Sequence, residues 1–186
     1  MGRRNEIEKG CRAQMDEQSR EGRKAGRVAL YGMMTALAFL FGYVESLVPI
    51  SLGVPGIKLG LANLAAIVSL YLLGPRAAVG ITVVRILLVG FTFGNLSMMM
   101  YSFAGAAVSL ALMLIFWRMD WFGVTGVSII GGAGHNVGQL LLAAVVVETG
   151  GVFYYLPLLL AAGTVAGAVI GILGGILIKR LSHWKR

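Results

Sequence analysis

The sequence predicts an all-α integral membrane protein, a bundle of six transmembrane helices with both termini in the cytoplasm. Three observations predict it. The 186 residues are 58% hydrophobic, with a mean hydropathy of +0.83. Only 13% are charged, against roughly 25% in ordinary soluble domains. The charges are also pushed outward. Half of the 16 Lys and Arg precede Val28 and a quarter follow Ile178. Between them stand only Lys58, Arg76, Arg85 and Arg118, with the acids Glu45, Asp120 and Glu148. A stretch this long with so few charges has no means of facing water.

Residues 1–27 read as a basic cytosolic tail, 28–178 as the transmembrane domain and 179–186 as a second basic tail. The first tail lacks the apolar centre of a signal peptide and suits an amphipathic or loosely ordered anchor. The net charge of +8 fits a role at anionic lipid, since the tails leave no room for a folded nucleic-acid-binding module. Cys11, alone in the chain, excludes an internal disulfide framework and a Cys-based metal site.

Apolar runs separated by Pro, Gly or charge give six spans: Val28–Val48, Lys58–Leu73, Arg76–Phe91, Leu96–Trp117, Val124–Glu148 and Phe153–Ile178. A bilayer core takes roughly 20 helical residues. The second and third spans are short, so they tilt, extend into their loops or are partly broken. With the N-terminus inside, the cytoplasmic segments are the N-tail, the Gly74-Pro75-Arg76 turn, the Trp117–Gly123 loop and the C-tail. They hold every basic residue except Lys58 and Arg85. The positive-inside rule therefore selects this orientation.

Arg85, in GITVVRILLVGF, falls near the middle of the third span. A charge there costs at least ~2.5 kcal/mol on insertion scales, so it must face protein or a wet cavity. Thr82 and Thr92 share its side of the helix. Two readings fit: a structural pair with Glu45 or a helix C-terminus, or a contact to an anionic or polar ligand. The fifth span carries GGAGHNVGQ. His135 and Gln139 share a face with Ser128, Gly131 and Gly132, while Asn136 projects about 100° away. Polar groups beside glycines suit either interhelical hydrogen bonds or close approach of a ligand. No carboxylate or Cys completes a metal set around His135.

Between the first two spans, PISLGVPGIKLGLAN places Pro49 and Pro55 in a short outer loop, followed by Lys58 and Asn63. A structural turn and a gating loop over an outer cavity both explain it. Tyr43, Phe93 and Tyr101 are candidates to stack on a ligand ring or to anchor the interface. Small residues form two stripes: Ala25, Ala29, Gly32 and Ala36 in the first span, and Gly163, Gly167, Gly171 and Gly175 in the last. Such faces let helices approach closely in lipid. The last stripe favours internal packing; the first suits docking of another membrane protein.

Several chemistries lack their residues. There is no Walker-type phosphate loop and no Asp-rich run to hold Mg²⁺ on a diphosphate. No Ser/His/Asp arrangement can be assembled, so no enzymatic activity, metal or cofactor is expected.

The segment GIKLGLANLAAIVSLYLLGPRAAVGITVVRILL, following a small-residue first helix and a Pro-containing loop, resembles the substrate-binding S components of energy-coupling factor (ECF) transporters. The subgroup it is most similar to is the Gx transporter proteins, also labelled heptaprenyl diphosphate synthase component I. The likeness covers about Val28 to Ile178; LGPRAA and KLGLAN are its most specific pieces. It implies six helices, a pocket opening outward beneath the first loop, and a first-helix stripe (Ala29, Gly32, Ala36) that docks on a transmembrane T component driven by two cytosolic ATPases. S-component pockets vary with substrate, so the ligand residues come from this chain alone: Arg85, Asn63, His135, Asn136 and Gln139, with Lys58 and Tyr101.

The expectation is a multi-pass substrate-capture subunit in a prokaryotic plasma membrane, importing a small polar or anionic vitamin or cofactor precursor. The alternative is a non-catalytic membrane partner of a heptaprenyl diphosphate synthase. A stand-alone transporter would need an inverted repeat that the six short helices do not display.

Overall fold

In a computed structural model the chain is helical almost throughout; residues 2–47 and 60–183 are described. The elements are α1 (Gly2–Leu47), α2 (Leu61–Leu73), α3 (Pro75–Thr92), α4 (Leu96–Met119), α5 (Val124–Val147), a 3₁₀ turn (Gly150–Tyr155) and α6 (Leu156–His183). Among the described residues five stretches are long and apolar enough to cross a bilayer: Glu17–Glu45, Pro75–Thr92, Leu96–Met119, Val124–Val147 and Gly150–Ser182. The protein is therefore an all-α membrane bundle. The chain divides into two compact units, Met1–Met34 and Thr35–Arg186. The first is one helix, so the N-tail is helical rather than loosely ordered, and the residues around its basic positions Arg20, Lys24 and Arg27 are exposed.

In the second unit α2 to α6 close into a ring. Each helix packs on the next in the order α2, α3, α4, α5, α6, and α6 returns to α2. Helix α2 also touches α5 across the ring. Its residues Leu64 to Leu70 are buried without a break. A helix that is apolar all round has no preferred side to expose, and it is buried among its neighbours. At about 1.5 Å per residue its 13 residues span only ~20 Å, short of a bilayer core. The expected span Lys58–Leu73 is thus partly borne out, because the helix begins at Leu61; Lys58 itself lies outside the described residues.

One residue, Gly74, turns α2 into α3. Its φ of 91° is closed to side chains, and its N–H returns to the carbonyls of Ser69 and Leu70. Pro75 then opens α3 where a missing N–H costs nothing. Helix α4 starts at Asn95, whose side chain accepts the Met98 N–H at 2.8 Å. Thr149 caps the 3₁₀ turn in the same manner, accepting the Gly151 N–H.

Helix α5 is held between two neighbours by glycine. Toward α6, a methyl group added at Gly167 would come within 2.7 Å of Ile129 Cα and Ser128 O. Gly163 and Gly171 are equally closed, against Gly132 O and Thr125 Cα. Toward α4, Gly138 lies on the Ala104 carbonyl and Gly131 on Ser109 and Met113. Without side chains the backbones approach to where dispersion and weak contacts accumulate, which is how helices associate in lipid. The last-helix glycine stripe packs internally as expected at Gly163, Gly167 and Gly171, but Gly175 meets open space.

Candidate functional site

The residues singled out by sequence fall into three places. At the α5–α4 contact, His135 and Gln139 lie against Gly105, where a side chain would strike His135 Cε1 and Gln139 Cγ at 2.8 and 2.9 Å. Gln139 is buried and His135 half-buried. Asn136 turns the other way, to α6. Its Nδ2 donates to the Leu159 carbonyl at 2.7 Å, and Gly163 leaves the room. The GGAGHNVGQ cluster is therefore split by the helical repeat: two of its polar side chains face α4 and one faces α6.

The second place is the hairpin of α2 and α3. Asn63 and Arg85 stand equally far from Gly74 along the two helices, which puts them at one level. Asn63 is half-buried, and its backbone N–H closes on Gly60 O at 2.8 Å. Arg85 as a whole is half-buried, yet its Nε is sealed from solvent and finds no hydrogen-bond partner among the described residues. Thr82 is buried, whereas the Thr92 hydroxyl donates to the Leu88 carbonyl at 2.6 Å on the exposed side.

Glu45 is the group whose task the sequence reading missed. Its Oε1 accepts the Gly60 N–H at 2.6 Å and the Leu61 N–H at 3.1 Å, so a carboxylate from α1 caps α2. Gly60, at φ 76°, supplies no cap of its own. The sequence signal was an acid closing one apolar span with a bare glycine opening the next. The last turns of α1 also meet α3: Gly42 lies on Val89, and Phe39 and Tyr43 pack their rings on Phe93 at 5.5 and 4.7 Å. The rings of Tyr43 and Phe93, expected to be available to a ligand, thus contact each other.

The third place is the first-helix stripe. Ala29 and Gly32 in the N-terminal unit are exposed, and Gly32 has nothing within 4 Å; Ala36, in the helical bundle, is exposed as well. Tyr101 on α4 is half-buried. Among the described residues no three His, Cys, Asp or Glu gather as metal ligands.

Fold and composition define a multi-pass membrane protein with a half-buried arginine in α3, the helix that packs on the short α2. The family profile of heptaprenyl diphosphate synthase component I matches residues 34–177, and the chain belongs to that family. No curated protein and no solved structure matches it.

Proposed function

We propose that the chain is the substrate-capture subunit of an ATP-driven importer of the ECF type, non-catalytic itself, in a prokaryotic plasma membrane with both termini inside. The observation that carries this reading is Arg85: a guanidinium at membrane depth whose Nε has no acceptor among the described residues. A charge in that setting marks a ligand path more often than a strut. In this orientation, which follows the basic residues, α2 begins on the outer side and stops short of the surface, so Arg85 and Asn63 lie below the outer boundary. Exposed Ala29 and Gly32 in the first unit, and exposed Ala36 in the second, are the small residues offered to a T component carrying two ATPases. The cargo is a small polar or anionic organic molecule of the vitamin or cofactor-precursor class.

A second reading rests on the family's description, which names a component of heptaprenyl diphosphate synthase. In that case the chain is the membrane partner of a soluble enzyme. Co-purification of the tagged protein from native membranes in mild detergent separates the two. A membrane T component with two ATPases supports the importer; a prenyl synthase without ATPases overturns it in favour of the second reading.

A further inference from the structure

Helix α5 is bracketed by exposed rings. Before it, in the connection from α4, stand Trp121, 74% exposed, and Phe122, whose ring meets Phe116 edge-on at 5.7 Å. After it, the 3₁₀ turn presents Phe153, Tyr154 and Tyr155, with Tyr154 90% exposed. Rings this open need a medium that covers them. The charges nearby say how deep they lie. Exposed Arg118 and Asp120 close α4, exposed Glu148 closes α5, and no Asp, Glu, Lys or Arg stands between Asp120 and Glu148. Hydrocarbon therefore ends beside those charges, where both ring clusters sit. Length agrees. The 24 residues of α5 rise ~36 Å against a core of ~30 Å, so its ends emerge into the two headgroup layers.

We propose that Trp121 with Phe122, and Phe153 with Tyr154 and Tyr155, are interface anchors on the two opposite surfaces of the membrane. Their partner is the boundary between lipid headgroups and acyl chains. Trp and Tyr join an apolar body to a polar tip, which suits a layer that is dry on one side and wet on the other. The surfaces leading to the rings point the same way. Ile115 and Met119 on α4, Val145 to Val147 on α5 and Leu158 on α6 are all exposed. The rings thus continue the lipid-facing side of the spans and do not form a separate patch. Exposed Arg118 places a cation near Trp121, as lipid phosphate prefers. Anchored at both ends, α5 holds His135, the twelfth of its 24 residues, at the middle of the bilayer. The close glycine contacts of α5 with α4 and α6 extend that fixed depth to both neighbours. This inference goes beyond the capture reading and does not depend on it.

The test uses the full-length protein in phosphatidylcholine vesicles whose acyl chains carry bromine, a fluorescence quencher, near either the carbonyl or the terminal methyl. The fluorescence lost from the parent in Trp121→Phe isolates Trp121, and the fluorescence gained in Tyr154→Trp isolates the other anchor. Both side chains are so exposed that these substitutions leave the fold alone. Each signal should be quenched more strongly from the carbonyl end than from the methyl end, and only weakly by aqueous iodide. The order should hold in short-chain and long-chain lipid alike, because an anchored ring stays with the boundary while the helices tilt to suit the thickness. Quenching by iodide alone puts the ring in water and overturns the proposal. Stronger quenching from the methyl end buries it among the chains, and protection from every quencher covers it with protein, a second copy included; either result overturns the proposal equally. A ring that passes from water in short-chain vesicles to the acyl chains in long-chain ones is carried by its helix, which overturns the proposal as well.

Discussion

Asn136 on α5 donates its side-chain amide to the backbone carbonyl of Leu159 on α6, at 2.7 Å and out of reach of water. The bond joins the two most closely packed helices of the bundle near the 3₁₀ turn that connects them. Interhelical hydrogen bonds in membranes average about 0.6 kcal/mol and reach ~1.7. Replacing Asn136 with Leu should lower the stability of the detergent-solubilised protein by about 1 kcal/mol, read as an earlier loss of helical signal on heating. A larger effect on ligand capture than on stability would instead place Asn136 in the ligand site.

The α5–α6 contact has no tolerance for added volume. Gly167→Val should abolish a monodisperse size-exclusion peak or cost more than about 3 kcal/mol, since the new side chain would meet the backbone of Ile129 and Ser128. Gly175→Val, eight residues on and facing open space, should leave the peak unchanged. Equal effects at both positions would refute the packing account.

Arg85→Ala should insert and purify like the parent while losing capture of substrate by tenfold or more, the worth of about 1.4 kcal/mol. Arg85→Lys keeps the charge but not the planar fork, and should recover only part of the loss. Unchanged uptake by membranes carrying Arg85→Ala would reduce the residue to a structural role.

Gly32→Leu combined with Ala36→Leu should abolish association with partner membrane proteins and leave thermal stability within about 0.5 kcal/mol, as expected where a substitution meets no neighbour. The comparison is between co-purified proteins and the melting curve of the same preparation. A destabilised double variant would show that this face packs within the protein.

How much of this was legible in the sequence differs from element to element. Helices α3 to α6 begin and end within a few residues of their apolar runs, because Pro75, Asn95, Gly123 and Pro157 are local signals that act on the nearest turn. The run from Lys58 to Leu73 announced a helix. Its apolar pattern all round could not say which neighbours would surround it, and the start at Leu61 depends on Glu45 arriving from α1.

The sequence by itself determined that the protein is an all-α membrane bundle, since composition and charge placement decide which solvent each segment can enter, and it determined the family. Only the tertiary structure decided which glycine face meets which helix, that His135 and Gln139 turn to α4 while Asn136 turns to α6, and that a carboxylate from α1 caps the α2 N-terminus. The reason is physical. Transfer into lipid depends on each residue alone, whereas pairing of donors, acceptors and close backbones depends on where distant helices come to rest.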